Sequence, residues 1–252
     1  MSGRRETREF IEGAIDGGHF AGSFLGRSGA TAPYRTAPTP QRIAVDVSQG
    51  LFVALDVEIH GSADESLAEG ILGAMKKPPS PSRLGSLAAR ILAAEETVKA
   101  RPRAERGGAT LVAMELEGGW ASFARLGDSA AFRARGGTFS RLTDDDDLAR
   151  AYRRDGASDD AVAKTLELQS RVILSAFTGA GLHRLEVVHL ALRPGDRFLL
   201  TTDGVTRLTT HAAMAAVMTA PGLTRAERCE QLLALRGERR QGDAVVLLVE
   251  LA

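Results

Sequence analysis

The order of elements readable along this chain predicts an α+β fold in which antiparallel sheets are covered by helices. Two observations carry the prediction. Strand-length runs follow one another across short glycine-containing turns, as hairpins do, and helical runs come in consecutive pairs. The order is strands, two helices, strands, a helical insert, strands, two helices and a last strand.

Residues 1–17 read as a short, partly helical leader ahead of one domain spanning 18–252. From Arg27 to Pro40 the chain is rich in Ala, Thr and Pro. Pro33, Pro38 and Pro40 each remove a backbone donor and push their neighbours to extended geometry, so an irregular loop is expected. Arg42 to Val47 and Leu51 to Asp56 are two strands joined through Ser48-Gln-Gly50. A helix over 64–76 follows, with a capping box in Ser62-Ala-Asp-Glu65, Leu67, Ile71 and Met75 on one face, and Pro78-Pro79 as its stop. A second helix over 83–100 takes Ser80 as its cap and lines up Leu84, Leu87, Ala88, Ile91, Leu92 and Val98.

Next come four strands, Ala109 to Glu115, Trp120 to Leu126, Ala130 to Arg135 and Thr138 to Leu142. They are separated by Glu117-Gly-Gly119, Gly127-Asp-Ser129 and Gly136-Gly137. Asp144 to Gly179 is polar and reads as helical, with Ser158 as a cap. Leu185 to Leu192 and Asp196 to Thr202 are strands, and Trp120–Leu126 and Glu186–Leu192 are expected in two packed sheets. Helices are expected over His211 to Thr219 and Arg225 to Arg236. Thr224-Arg-Ala-Glu227 caps the second of these and Gly237 ends it. Ala244 to Leu251 is the final strand.

The 252 residues suffice for one large core. Lys+Arg and Asp+Glu balance at 32 each, so the basic footprint of a nucleic-acid binder is missing. The single cysteine, Cys229, excludes an internal disulfide and lies in an apolar helical run that suits buried packing. No apolar stretch approaches the ~20 residues of a membrane span, and the basic N-terminus has no apolar run behind it, so a cytoplasmic location is the default.

Three aspartates stand at strand ends. Leu51-Phe-Val-Ala-Leu-Asp56 ends in one, Phe198-Leu-Leu-Thr-Thr-Asp203-Gly204 in another, and Arg240-Gln-Gly-Asp243 opens the last strand. A carboxylate at the exit of a rigid strand suits a hard-cation ligand, and the bland alternative is three turn aspartates. Asp128 in Gly127-Asp128-Ser129 reads either as a turn residue or as a ligand. The acid run Asp144 to Asp147 lacks EF-hand spacing and suits a solvated helix start. Gly22-Ser-Phe-Leu-Gly26-Arg-Ser lacks the lysine of a P-loop, His60 fits a surface or packing role, and His183 and His189 have no partner at zinc-ligand spacing.

This punctuation resembles the metal-dependent PP2C (PPM) family of serine/threonine protein phosphatases, in its bacterial form. Gly107-Gly-Ala-Thr110, Arg125-Leu-Gly-Asp-Ser129, Leu142-Thr-Asp-Asp145, the stretch Gln169-Ser-Arg171 to Gly179, Pro194-Gly-Asp196 to Asp203-Gly204, and Asp243 follow in the family's order across roughly residues 20–250. The resemblance implies a β-sandwich of two antiparallel sheets flanked by pairs of antiparallel helices, with two Mg²⁺ or Mn²⁺ ions in a cleft at one end. Their bridging water is the family's nucleophile on phosphoserine or phosphothreonine. Carried over residue by residue, Asp56, Asp203 and Asp243 hold one metal, with the Val57 carbonyl. Asp128 with Asp203 matches the pair for a third, weaker ion, and Arg35 stands nearest the family's phosphate-binding arginine. The implied partner is a phosphorylated protein, the substrate of a Ser/Thr kinase.

The chain also departs from the family. The acidic pair that binds the second metal falls on Thr39-Pro40-Gln41, and from Arg27 through Val45 there is no acid. The family's Asp-Gly-x-Gly-Gly is here Asp56-Val-Glu-Ile-His-Gly61, and its Asp-Asn is Asp243-Ala244. Two functions are therefore expected in competition: an active phosphatase, or a pseudophosphatase that binds a phosphoprotein or kinase.

Overall fold

The computed structural model describes residues 6–15, 18–27, 43–58, 63–78, 85–144, 156, 158, 160, 173–182, 184–237 and 244–252. Eleven strands are described: β1 (Glu6–Ile15), β2 (Gly18–Arg27), β3 (Ile43–Asp46), β4 (Leu51–Glu58), β5 (Gly108–Glu117), β6 (Trp120–Leu126), β7 (Ala130–Arg135), β8 (Thr138–Arg141), β9 (Glu186–Ala191), β10 (Arg197–Thr201) and β11 (Ala244–Leu251). They form a six-stranded sheet in the order β1-β2-β11-β10-β7-β8 and a five-stranded sheet in the order β3-β4-β5-β6-β9. Each pairing is antiparallel. The helices are α1 (Ala63–Lys76), α2 (Ser86–Lys99), the single turn α3 (Asp203–Thr206), α4 (His211–Thr219) and α5 (Arg225–Ala234). None of them is long and apolar enough to cross a membrane.

Side-chain alternation sorts β4, β5, β10 and β11 between apolar layers on their two faces. Leu51, Val53, Leu55 and Val57 of β4, with Leu111 and Ala113 of β5, pack against Leu67, Ile71 and Met75 of α1 and Leu87, Ile91 and Val98 of α2. On the other side of the same strands, Phe52, Ala54, Val112 and Met114 meet Phe198, Leu200, Val245 and Leu247 of the second sheet. Beyond that sheet, Leu199, Val246 and Leu248 pack under Met214 and Met218 of α4 and Cys229 and Leu232 of α5. The molecule is thus a sheet-on-sheet sandwich with a helix pair on each outer face, as the resemblance implies.

The glycine turn Gly127-Asp128-Ser129 is not a hairpin. β5 and β6 belong to the five-stranded sheet and β7 and β8 to the six-stranded one, so this turn carries the chain from one sheet to the other. β6 and β9, expected in different sheets, pair with each other, Phe123 opposite Val188.

The expected helical leader is wrong over residues 6–15, which form β1 at the edge of the six-stranded sheet, and β2 was not foreseen. An edge strand tolerates the charges that make Glu6-Thr-Arg-Glu9 look helical. α2 starts at Ser86 rather than after a Ser80 cap, because Gly85 at φ 85°, ψ 164° adopts a conformation that interrupts a helix. Leu92, expected on its apolar stripe, is exposed. Of the insert expected as helical between Asp144 and Gly179, residues 145–155 and 161–172 lie outside the described residues, as do Ser62, Ser80 and Leu84. The strands over 186–191 and 197–201, the helices over 211–219 and 225–234, and the Thr224–Glu227 capping box are as expected.

Buried Arg90 ties the helix-covered face together. It contacts Glu115 Oε1 at 3.0 Å and donates to the carbonyls of Met75 and Lys77 at 2.8 Å each, satisfying the exposed end of α1.

Candidate metal centre

The layer between the sheets is apolar until its strands approach one end of the sandwich, where the same alternation brings polar residues to the same face. Along β4, Phe52 and Ala54 are followed at this spacing by Asp56, and along β5, Met114 and Val112 lead to Thr110. Asp56 and Thr110 are directly opposite each other. From the other sheet, Ala131 leads back to Ser129, and Phe198 and Leu200 lead on to Thr202. Antiparallel register makes this one end: Thr201 of β10 lies opposite both Ala130 and Val246.

Hydroxyls tie this end together, both between the sheets and within the six-stranded one. Thr110 Oγ1 and Ser129 Oγ are 3.1 Å apart and buried. Thr202 Oγ1 accepts from the Val245 amide at 3.1 Å, and Thr201 Oγ1 donates to the Val245 carbonyl at 2.6 Å. These bonds fix the exit of β10 against the entry of β11.

The crossing turn is equally constrained. Gly127 has φ 80°, and a Cβ there would stand 2.5 Å from Thr110 Cγ2, so only glycine lets the turn lie this close to β5. Arg125 Nη1 donates to the Gly127 carbonyl at 3.1 Å. Asp128 is thereby held nearly buried. Asp203, half-buried, is the first residue of α3, and Arg207 follows it one turn later. The Arg207 guanidinium bonds Asp128 Oδ2 through Nη2 and reaches Asp203 Oδ2 through Nε at 3.1 Å. Burial, and then the Asp203 charge, push the Asp128 carboxyl up to about 6, with Arg207 offsetting part of the rise.

Asp56, Asp128 and Asp203 therefore lie at one end of the sandwich, Asp128 and Asp203 sharing a guanidinium and Asp56 next to the Thr110–Ser129 bridge. Val57, the next residue on β4, turns its side chain to the helices. Arg35, Pro40, Gln41, His60 and Asp243 lie outside the described residues. Among the described residues no three His, Cys, Asp or Glu side chains are grouped as a metal site. Asp144 is exposed, and Cys229 is fully buried, its thiol pushed up to about 12 chiefly by burial.

A sequence profile of the family described as protein phosphatase 2C matches residues 48–245. The chain belongs to the protein phosphatase 2C family. These are serine/threonine phosphatases that use Mg²⁺ or Mn²⁺. No curated protein matches the sequence. Among solved structures, the serine/threonine phosphatase PstP/Ppp of Mycobacterium tuberculosis superposes with a TM-score of 0.73 at 18% identity, over 98% of each chain. The serine/threonine phosphatase of S. agalactiae gives 0.72 at 18%, over 98% of this chain and 100% of that one. The PstP catalytic domain solved with two manganese ions gives 0.69 at 19%, over 99% and 98%. At such identities the likeness is one of fold.

The chain's own donors suit the family's ions. The carboxylates gathered at this end offer oxygen, as hard cations prefer. Asp128 and Asp203 are close enough for one charge to perturb the other, and the cation beside them is Arg207. Sequence reasoning found the aspartates but missed Arg207 and the Thr110–Ser129 bridge. The spacing of Asp203 and Arg207, four apart on a helical turn, is the signal that points to their pairing.

Proposed function

We propose that this chain is a metal-dependent protein phosphatase that hydrolyses phosphoserine or phosphothreonine in a protein phosphorylated by a Ser/Thr kinase. The observation that carries the reading is the replacement of the inter-sheet apolar layer by Asp56, Thr110, Ser129 and Thr202 at one end, with Asp128 and Asp203 beside them. Asp56, Asp203 and Asp243 are the proposed ligands of a first Mg²⁺ or Mn²⁺, together with the Val57 carbonyl. When bound, such an ion supplies Lewis-acid polarisation of a phosphoryl oxygen and lowers the pKa of water.

The protein's own contribution is positioning. β4 fixes Asp56 by ladder bonds on β5, and the Thr201–Thr202–Val245 bonds fix Asp203 relative to the last strand. Carboxylates held this rigidly need no reorganisation when a divalent ion is present. Arg35 is proposed to contact the phosphate, a bidentate role that suits a guanidinium.

A second reading is favoured by one observation, the lack of any acid from Arg27 through Val45. In it the chain binds a phosphoprotein or kinase without turnover. Phosphate release from a phosphothreonine peptide, measured with Mn²⁺ for wild type and Asp203→Asn, separates the two. The phosphatase reading expects Mn²⁺-dependent release that falls at least 100-fold in the variant, about 2.7 kcal/mol of barrier. Mn²⁺ binding by calorimetry without any release sustains the pseudophosphatase.

A further inference from the structure

We propose that Arg207 is a built-in counterion, its guanidinium bridging Asp128 and Asp203 where a divalent ion would otherwise sit, so that this carboxylate pair binds no metal of its own. The inference rests on the reading of Asp203 as a metal ligand and goes beyond it, because it assigns the neighbouring pair to the protein's own cation.

The geometry is specific. Asp128 comes from the turn that crosses between sheets and Asp203 from the helical turn that follows β10, and the β7–β10 register, with Ala130 opposite Thr201, brings the two to the same end. One planar group bridges the two carboxylates there, with Nη2 on Asp128 and Nε at 3.1 Å from Asp203. Both contacts fall on the Oδ2 atoms. A guanidinium holds two carboxylates in this fork geometry as a divalent ion would, with one positive charge rather than two. Asp128 is nearly buried, and a buried carboxylate is paired or coordinates a metal. Here it is paired. Arg207 is anchored from both sides at the site, being also the residue that ends the α3 turn, its amide donating to the Asp203 carbonyl at 2.9 Å.

Two consequences follow. Asp203 is oriented by its own helix before any ion arrives, which makes Arg207 a positioning residue for the first metal. Removal of the guanidinium leaves two carboxylates facing each other without a cation, and a divalent ion becomes the species that relieves them.

The test is Mn²⁺ stoichiometry by calorimetry on wild type, Arg207→Ala, Asp128→Ala and the double variant Arg207→Ala/Asp128→Ala. Arg207→Ala is expected to take up one more Mn²⁺ per chain than wild type, and the double variant to lose that extra ion. Asp128→Ala alone should leave the wild-type stoichiometry unchanged. The melting temperature gives a second readout in case the substitution weakens folding: Arg207→Ala should melt lower than wild type in chelator and recover on adding Mn²⁺, while the double variant should show no such added recovery. Equal stoichiometry in wild type and Arg207→Ala overturns the proposal, as does loss of a wild-type ion in Asp128→Ala. If wild type binds no Mn²⁺ but Arg207→Ala binds one that depends on Asp128, the counterion stands and the first-metal reading fails.

Discussion

Asp128 shows how one side chain can be favourable in one protonation state and costly in the other. Its carboxyl is pushed up from 3.8 to about 6, first by burial and then by Asp203, and Arg207 cancels only part of this. In the metal-free protein the folded chain therefore holds this proton more tightly than the unfolded chain. The stability it contributes is complete below the unfolded pKa near 4 and is lost as pH rises through about 6. The expected size of that loss is on the order of 3 kcal/mol, at about 1.4 kcal/mol for each tenfold difference in proton affinity between the folded and unfolded chains. Urea unfolding in chelator at about pH 4 and about pH 7 measures it, and the difference between wild type and Asp128→Asn isolates this group from the other carboxyls. An identical pH slope in the two proteins refutes it. The sequence offered Asp128 as either turn or ligand and could not choose, because the choice depends on Arg207, which touches it from 79 residues away.

At the scale of elements, local chemistry was legible and long-range placement was not. The Thr224–Glu227 capping box is a four-residue signal and appears where the sequence puts it. Gly127 was legible as punctuation, but its function is set by β5, to which the turn is pressed. Two glycines with similar backbones separate these roles. Gly127 (φ 80°) has Thr110 Cγ2 at 2.5 Å from a would-be Cβ, whereas Gly119 (φ 81°) has open space. Both substitutions to alanine carry roughly 1–2 kcal/mol of left-handed backbone strain. Gly127→Ala is expected to cost about 2 kcal/mol more, because Thr110 must move and its bond to Ser129 is lost. Chemical denaturation of the two variants checks this, and equal losses would show that the close approach at the crossing turn is unimportant. β1 was misread for a complementary reason: an edge strand carries charge at positions where a central strand cannot, so its pattern mimics a solvated helix.

For the molecule as a whole, the strand and helix order pointed to antiparallel sheets covered by helices, and the family resemblance to the two-sheet sandwich. In that sandwich the alternation of strands such as β4 divides side chains between a helix-covered layer and the layer between the sheets. The metal complement is less simply read, because it depends on an acid the chain lacks. Asp46 is the first acid after the gap that begins at Arg27, and the structure removes it as a substitute. It lies opposite Leu51, at the far end of β4 from Asp56, which at ~3.3 Å per residue is about 16 Å away. Its carboxylate is also engaged, accepting from Ser48 Oγ at 2.7 Å and Gln49 Nε2 at 2.5 Å, bonds that hold its pKa below the usual range. Glu58 is the remaining acid near Asp56 in sequence, and β4 does continue to it, opposite Gly108. With Pro40 and Gln41 at the position of the missing pair, the second ion is expected to bind much more weakly than the first, since a neutral carbonyl attracts a divalent cation less than a carboxylate does. Turnover of a small phosphate ester should then be slow and demand high Mn²⁺. Pro40→Glu/Gln41→Asp should raise the rate at low Mn²⁺ by roughly tenfold or more, at least about 1.4 kcal/mol of barrier. The decisive measurement is a Mn²⁺ titration of the unaltered protein by calorimetry. Two tight sites there would overturn the expectation and make Glu58→Gln the next variant, because β4 runs on two residues past Asp56 to that acid.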